Sequence, residues 1–205
     1  MAILTDRFIL YHIPKTGGTW GKVALKNAGV EYRYTKTMKG EHPFNLKRAH
    51  STPDNVPARA KEGRLGITFV REPEAWYRSY WAFRSRKGAR RDEKFPADGL
   101  WSDDFDQFVN NILDAYPQGF VTTLYQYYTG AECEKVDFIG RQEYLLSDLI
   151  HALDAAGESF DEGKLAMTPR RNASPNKWKE AAVLTPETQQ RIRECEHWVL
   201  ETFYA

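Results

Sequence analysis

Residues 7–13, RFILYHI, form a short apolar and β-branched run that stops at Pro14 and passes through Lys15-Thr16-Gly17-Gly18-Thr19 into WGKVALKNAGV. An apolar run of this length predicts a buried strand. The segment after the glycines places Val23, Ala24, Leu25 and Ala28 at helical spacing, with Gly29 as its stop. Strand, glycine turn and helix in immediate succession aim backbone N–H groups and the positive end of a helix at one point, which suits an anion. Gly17 and Gly18 permit close approach, Thr16 and Thr19 offer hydroxyls, and Lys15 adds a mobile positive charge. On these residues alone, a tight strand–helix turn with a solvated lysine is an equal alternative.

The same arrangement recurs. LGITFVR (65–71) predicts a strand ending at a polar residue, and PEAWYRSYWAFRSR (73–86) predicts a helix opened by its proline. EYRYT and KVDFIG are further strand candidates. SDDFDQFVNNILDAY and EYLLSDLIHALDAAG read as helices, and GFVTTLYQYYTG fits either state. A last helix starting at Thr185 and Pro186 is expected to bury Ile192, Cys195, Val199 and Phe203. Strands alternating with helices imply an α/β domain of three layers, with a mainly parallel central sheet flanked by helices. The 205 residues correspond to a single domain, 1–205. Ligands of such sheets bind beyond the carboxyl ends of strands, so the exits at 12–19 and 71–79 are expected to face one cleft.

Composition narrows the function. A formal charge of +1 argues against a nucleic-acid binder. Cys133 and Cys195 lack zinc or disulfide spacing and read as free thiols of a reducing compartment. No apolar run approaches the ~20 residues of a membrane span, and no signal core is present, so a cytoplasmic protein without membrane contact is expected. The basic run 84–94, RSRKGARRDEK, reads as a solvated helix end or loop. An ATP-binding P-loop would place lysine after the last glycine; here Lys15 precedes both.

HIPKTGGTW resembles the 5′-phosphosulfate loop of the carbohydrate sulfotransferases, H-[IV]-P-K-T-[AG]-[GS]-T-[ST], with Trp20 in place of a small hydroxyl residue. FVREPEAWYRSYW is similar to the family's 3′-phosphate motif, a strand ending in V-R followed by a helix with serine eight residues beyond the arginine. Arg71 and Ser79 stand at those places, and Trp76 replaces an arginine common in relatives. VDFIGRQEYLLSDL and RRNASPNKWKEAAVLTPETQQRI are weaker likenesses. The resemblance implies a P-loop-related sulfotransferase fold and the donor 3′-phosphoadenosine 5′-phosphosulfate, with no metal. It implies transfer to a hydroxyl-bearing acceptor, a glycan or small molecule. Lys15, Thr16, Gly17, Gly18 and Thr19 would hold the 5′-phosphosulfate, with Lys15 beside the bridging oxygen. Arg71 and Ser79 would hold the 3′-phosphate, and Arg171 and Lys177 of the late loop would reach over the nucleotide. His50, in KRAHSTPDNVPARA, is similar to the catalytic base of several relatives, with Ala49 where they carry glycine; Glu41 and His42 are the reserves. The alternatives are an ATP-dependent phosphotransferase and a nucleotide-binding protein without turnover.

Overall fold

The computed structural model describes residues 2–35, 50–86, 99–169 and 180–205. Five strands form one sheet: β1 (Ile3–Leu4), β2 (Phe8–Leu10), β3 (Arg33–Tyr34), β4 (Leu65–Val70) and β5 (Phe138–Arg141), in the order β3-β1-β2-β4-β5. The chain is an α/β protein with a mixed sheet flanked by helices. β2 pairs parallel with β4, and β4 with β5, while β1 pairs antiparallel with both β2 and β3. The sheet is mixed, with the expected parallel pairing at β2, β4 and β5 and antiparallel pairing at β1. Four strands share a direction and β1 alone runs against them, folding back onto β2 within a three-residue connection.

The helices are α1 (Gly18–Asn27), α2 (Ala58–Lys61), α3 (Pro73–Arg86), α4 (Phe105–Ala115), α5 (Phe120–Thr129), α6 (Leu145–Ala155), α7 (Glu162–Ala166), α8 (Pro186–Cys195) and α9 (His197–Phe203). Among the described residues, no helix is long and apolar enough to cross a membrane. The described residues gather into two compact units. The first comprises 2–35, 50–71 and 126–169; the second comprises 72–86, 99–125 and 180–205.

In the first unit the period-two alternation of strand side chains sends Phe8 and Leu10 of β2 and Ile67 and Phe69 of β4 to the same face. There they meet Trp20, Ala24 and Leu25 of α1 and Leu149 and Leu153 of α6 in one buried cluster. Each such side chain contributes roughly 1.5–3 kcal/mol through burial. The other face of β4 is buried too, which is why LGITFV reads as a continuous apolar run. Trp20 adds a hydrogen bond from Nε1 to the Thr168 carbonyl, 3.3 Å away, and its indole belongs to this core.

The second unit is built on rings. Trp76 and Tyr80 stack at 5.3 Å on α3, and Trp81, Phe105, Phe108 and Phe120 are buried with them. Arg84 corrects the reading of the basic run at its first member. It is buried, donates to Tyr80 Oη at 3.0 Å and lies over the Tyr80 and Trp101 rings. A guanidinium packs on aromatic faces at little cost in desolvation. Residues 87–94 of the run lie outside the described residues.

GFVTTLYQYYTG resolves as α5, and the expected last helix divides at Glu196 into α8 and α9. Ile192 and Val199 are buried as expected, whereas Cys195 and Phe203 are only half-buried. Glu196 turns inward instead. Its carboxylate accepts from Tyr77 Oη (2.6 Å), Val121 N (3.0 Å), Thr122 N (2.7 Å) and Thr122 Oγ1 (2.8 Å), so it caps α5 from a distant part of the chain. Burial pushes this carboxyl above its usual range, and the donated hydrogen bonds hold it back. Gly119, at φ 86°, leaves the space this needs, since a Cβ there would stand 2.5 Å from Glu196 Oε2. Glu196→Ala strands four buried donor groups and is expected to destabilise the second unit by about 3 kcal/mol or more. Chemical denaturation followed by tryptophan fluorescence measures this, and an unchanged midpoint would contradict it.

Candidate functional site

The exits of β2 and β4 meet because their strands are parallel neighbours. The register Phe8↔Leu65, Ile9↔Gly66, Leu10↔Ile67 is continued by Tyr11 N, which donates to Ile67 O at 2.8 Å. Both chains then leave the sheet at one edge. From β2 the chain enters the glycine turn, where Lys15 and Gly17 both take left-handed backbone, φ 70° and 93°. Glycine adopts this region freely; lysine does so at a cost of roughly 1–2 kcal/mol. Thr16 is buried, and its hydroxyl donates to Ile13 O at 2.9 Å, closing the turn. The hydroxyl expected to face an anion is thus committed to the fold. Thr19 is exposed.

Gly17 caps α1 with no side-chain hydrogen bond, and the first intrahelical bond runs from Gly21 N to Gly17 O at 3.0 Å. The N–H groups of Gly18, Thr19 and Trp20 precede that bond and have no partner within the helix. Neither glycine tolerates a side chain. A Cβ on Gly17 would lie 2.5 Å from Leu145 Cδ2, and one on Gly18 would lie 2.0 Å from His12 Cδ2. The His12 ring lies flush over Gly18, and Leu145, at the start of α6, supports the turn from the other side.

Arg71, the first residue beyond β4, extends to this turn. Its Nη1 donates to the Lys15 carbonyl at 3.4 Å. A guanidinium on one strand exit therefore joins the glycine turn on the next. Glu72 is occupied in capping α3, accepting from Glu74 N (3.0 Å) and Ala75 N (2.7 Å).

His50 completes the group. Its Nδ1 stands 3.0 Å from the His12 carbonyl, and the two imidazole centroids are 4.8 Å apart. The His50 carbonyl accepts from Tyr128 Oη at 3.0 Å. Burial pushes the His50 imidazole below its ordinary 6.5, with the hydrogen bond to His12 acting in the opposite sense. Burial holds His12 well below the same value, reinforced by the nearby Lys22 charge and by His50 whenever that ring is protonated. Both rings are neutral near pH 7. Two neighbouring imidazoles are thus held beside the glycine turn. His151 and His197 lie exposed on α6 and α9.

No protein-family model, curated protein or solved structure matches the chain.

The structure thus brings Lys15–Thr19, Arg71 and His50 together in the first unit. Ser79 stands half-buried on α3, in the second unit. Arg171, Lys177, Glu41 and His42 lie outside the described residues. Reasoning from sequence missed two participants. Arg141 ends β5, in register with Val70, so a further cation stands at the exit of the third parallel strand. Its N–H donates to Asp148 Oδ2 at 2.6 Å and its guanidinium lies 4.7 Å from the Tyr144 ring centre. The I-G-R ending of that strand repeats the V-R of β4 and was the available signal. Tyr128 had none.

Gly18→Ala forces the His12 ring aside and is expected to cost about 1–3 kcal/mol of stability. Urea denaturation of the first unit reads this, and an unaltered stability would mean that His12 does not pack on Gly18.

Proposed function

We propose that the chain is a sulfotransferase, with a P-loop-related sulfotransferase fold, that moves the sulfuryl group of 3′-phosphoadenosine 5′-phosphosulfate to an acceptor hydroxyl on a carbohydrate. The observation that carries this is the Arg71 guanidinium reaching from the exit of β4 to the glycine turn at the exit of β2. Two anion-holding elements at one sheet edge suit a nucleotide with phosphates on both its 5′ and 3′ positions.

The chain's residues fit that donor. Gly17 and Gly18 shape a tight turn, packed by Leu145 and the His12 ring, that leads into the positive end of α1 with its leading N–H groups. Those N–H groups, with Lys15, would hold the 5′-phosphosulfate. Lys15 would stabilise the negative charge that develops on the departing phosphate oxygen, a role filled elsewhere by cationic clamps on transferring groups. Arg71 would pair with the 3′-phosphate through its fork of donors. Ser79 is assigned to that phosphate, and Arg171 and Lys177 to the outer nucleotide, on the motifs alone. His50 is the base. As the acceptor oxygen bonds to sulfur and the bond from sulfur to the bridging oxygen breaks, Nε2 of His50 takes the hydroxyl proton, and adenosine 3′,5′-bisphosphate departs.

The test is transfer of a sulfuryl-labelled donor to a panel of glycans and small alcohols in EDTA. Wild type is expected to label at least one acceptor. His50→Ala should lower that rate a hundredfold or more and leave the affinity for adenosine 3′,5′-bisphosphate unchanged. Phosphorylation of an acceptor from ATP and magnesium, or donor binding without transfer to any hydroxyl, would overturn the proposal. The depressed His50 adds a pH signature: the base is deprotonated above its own pKa, so the acid limb of kcat/KM should be centred below 6.5. An acid limb centred at or above 6.5 would remove His50 from that role.

A further inference from the structure

We infer that Tyr128 and the His12 carbonyl are positioning groups that hold His50 as its Nδ1–H tautomer and thereby make Nε2 the proton-accepting atom. The inference deepens the sulfotransferase proposal and rests on it for the identity of the reaction, while the tautomer itself follows from the hydrogen bonds. A carbonyl oxygen only accepts, so the contact between His50 Nδ1 and His12 O, at 3.0 Å, requires the proton on Nδ1. A neutral ring then carries its lone pair on Nε2. This is the logic by which a buried orienting group sets the tautomer of a catalytic histidine in hydrolytic triads, here performed by a backbone carbonyl.

The carbonyl is itself well fixed. His12 follows β2 after Tyr11, whose N–H is still bonded to Ile67 O, and its ring is pressed on Gly18 at the head of α1. His50, by contrast, lies in no strand or helix and needs anchors. Its ring is held by His12 O, and its own carbonyl by Tyr128 Oη, reached across 78 residues of sequence. Tyr128 is fully buried on α5, and burial raises its phenol far above the ordinary value, so the hydroxyl remains a donor throughout the working range. A tyrosine whose hydroxyl ends on the backbone of one loop residue contributes little to core packing through that atom. Its effect is on where residue 50 sits. Loss of this bond frees the His50 peptide, lengthens the contact of Nδ1 with His12 O, and lets the proton move to Nε2, where the ring cannot act as a base.

Long-range proton–nitrogen NMR on the full chain with nitrogen-labelled histidine tests this at pH 7.5, with His50 assigned by its loss in His50→Gln. The wild type should show donor-type nitrogen at Nδ1 and acceptor-type nitrogen at Nε2. Tyr128→Phe should give a mixture of tautomers and a kcat about tenfold lower, the worth of one hydrogen bond, with unchanged affinity for adenosine 3′,5′-bisphosphate. A merely structural tyrosine would not alter the tautomer. A wild-type spectrum with the proton on Nε2 overturns the inference without need of any variant, as does a Tyr128→Phe spectrum and kcat equal to those of wild type. The expected spectra in a chain that transfers no sulfuryl group would uphold the positioning of His50 and refute the reaction assigned to it.

Discussion

The parallel pairing of β2 with β4 is the constraint from which the rest follows. Three residue pairs, Phe8 with Leu65, Ile9 with Gly66 and Leu10 with Ile67, fix the two strands side by side and pointing the same way. Reversal of either strand would carry its exit to the opposite edge, and Arg71 would be a strand's length from the glycine turn. The pairing is itself maintained by what covers it. Phe8, Leu10, Ile67 and Phe69 lie under α1 and α6 on one buried face, so a one-residue slip would send them to the other face. The site is as specific as this register.

On that frame the glycine turn acquires several functions at once. Gly17 allows the left-handed step into α1 and makes room for Leu145, and Gly18 makes room for the His12 ring. His12 in turn presents the carbonyl to which His50 is bound. A side chain at either glycine would therefore disturb the helix end and the packing around it, and at Gly18 the His12–His50 pair as well. Strain is concentrated here too, since Lys15 occupies a backbone region that glycine would enter without cost. Left-handed lysine at the bend is consistent with a side chain required at that point for its charge.

Much of this was legible in the sequence because the signals are local. The run RFILYHI, the glycines after it and the apolar spacing of α1 and α6 all lie within a few residues of what they specify. β4 and α3 were equally plain, since LGITFV is apolar throughout and Pro73 opens the helix. What escaped was long-range or very short. β1 has two residues and no periodicity, so its antiparallel insertion could not be anticipated, and with it the mixed character of the sheet. Glu196 reads as the polar side of an amphipathic helix, and only the fold reveals that it serves α5 from 74 residues away. Tyr128 is one of many aromatic residues whose spacing predicts core; its hydroxyl matters through a contact that no local pattern encodes. Thr16 was recognised as a hydroxyl donor, but its acceptor proved to be the carbonyl three residues before it.

The central claim is that opposite ends of one nucleotide are held by separate groups, the 3′ end by Arg71. Calorimetric titration of wild type and Arg71→Ala with adenosine 3′,5′-bisphosphate and with adenosine 5′-monophosphate isolates that pairing as a cycle. In wild type the 3′-phosphate should improve affinity by roughly ten- to a hundredfold, as charge-assisted hydrogen bonds do, and in Arg71→Ala this advantage should all but vanish. An equal advantage in both proteins would show that Arg71 does not touch the 3′-phosphate, and the claim would fail.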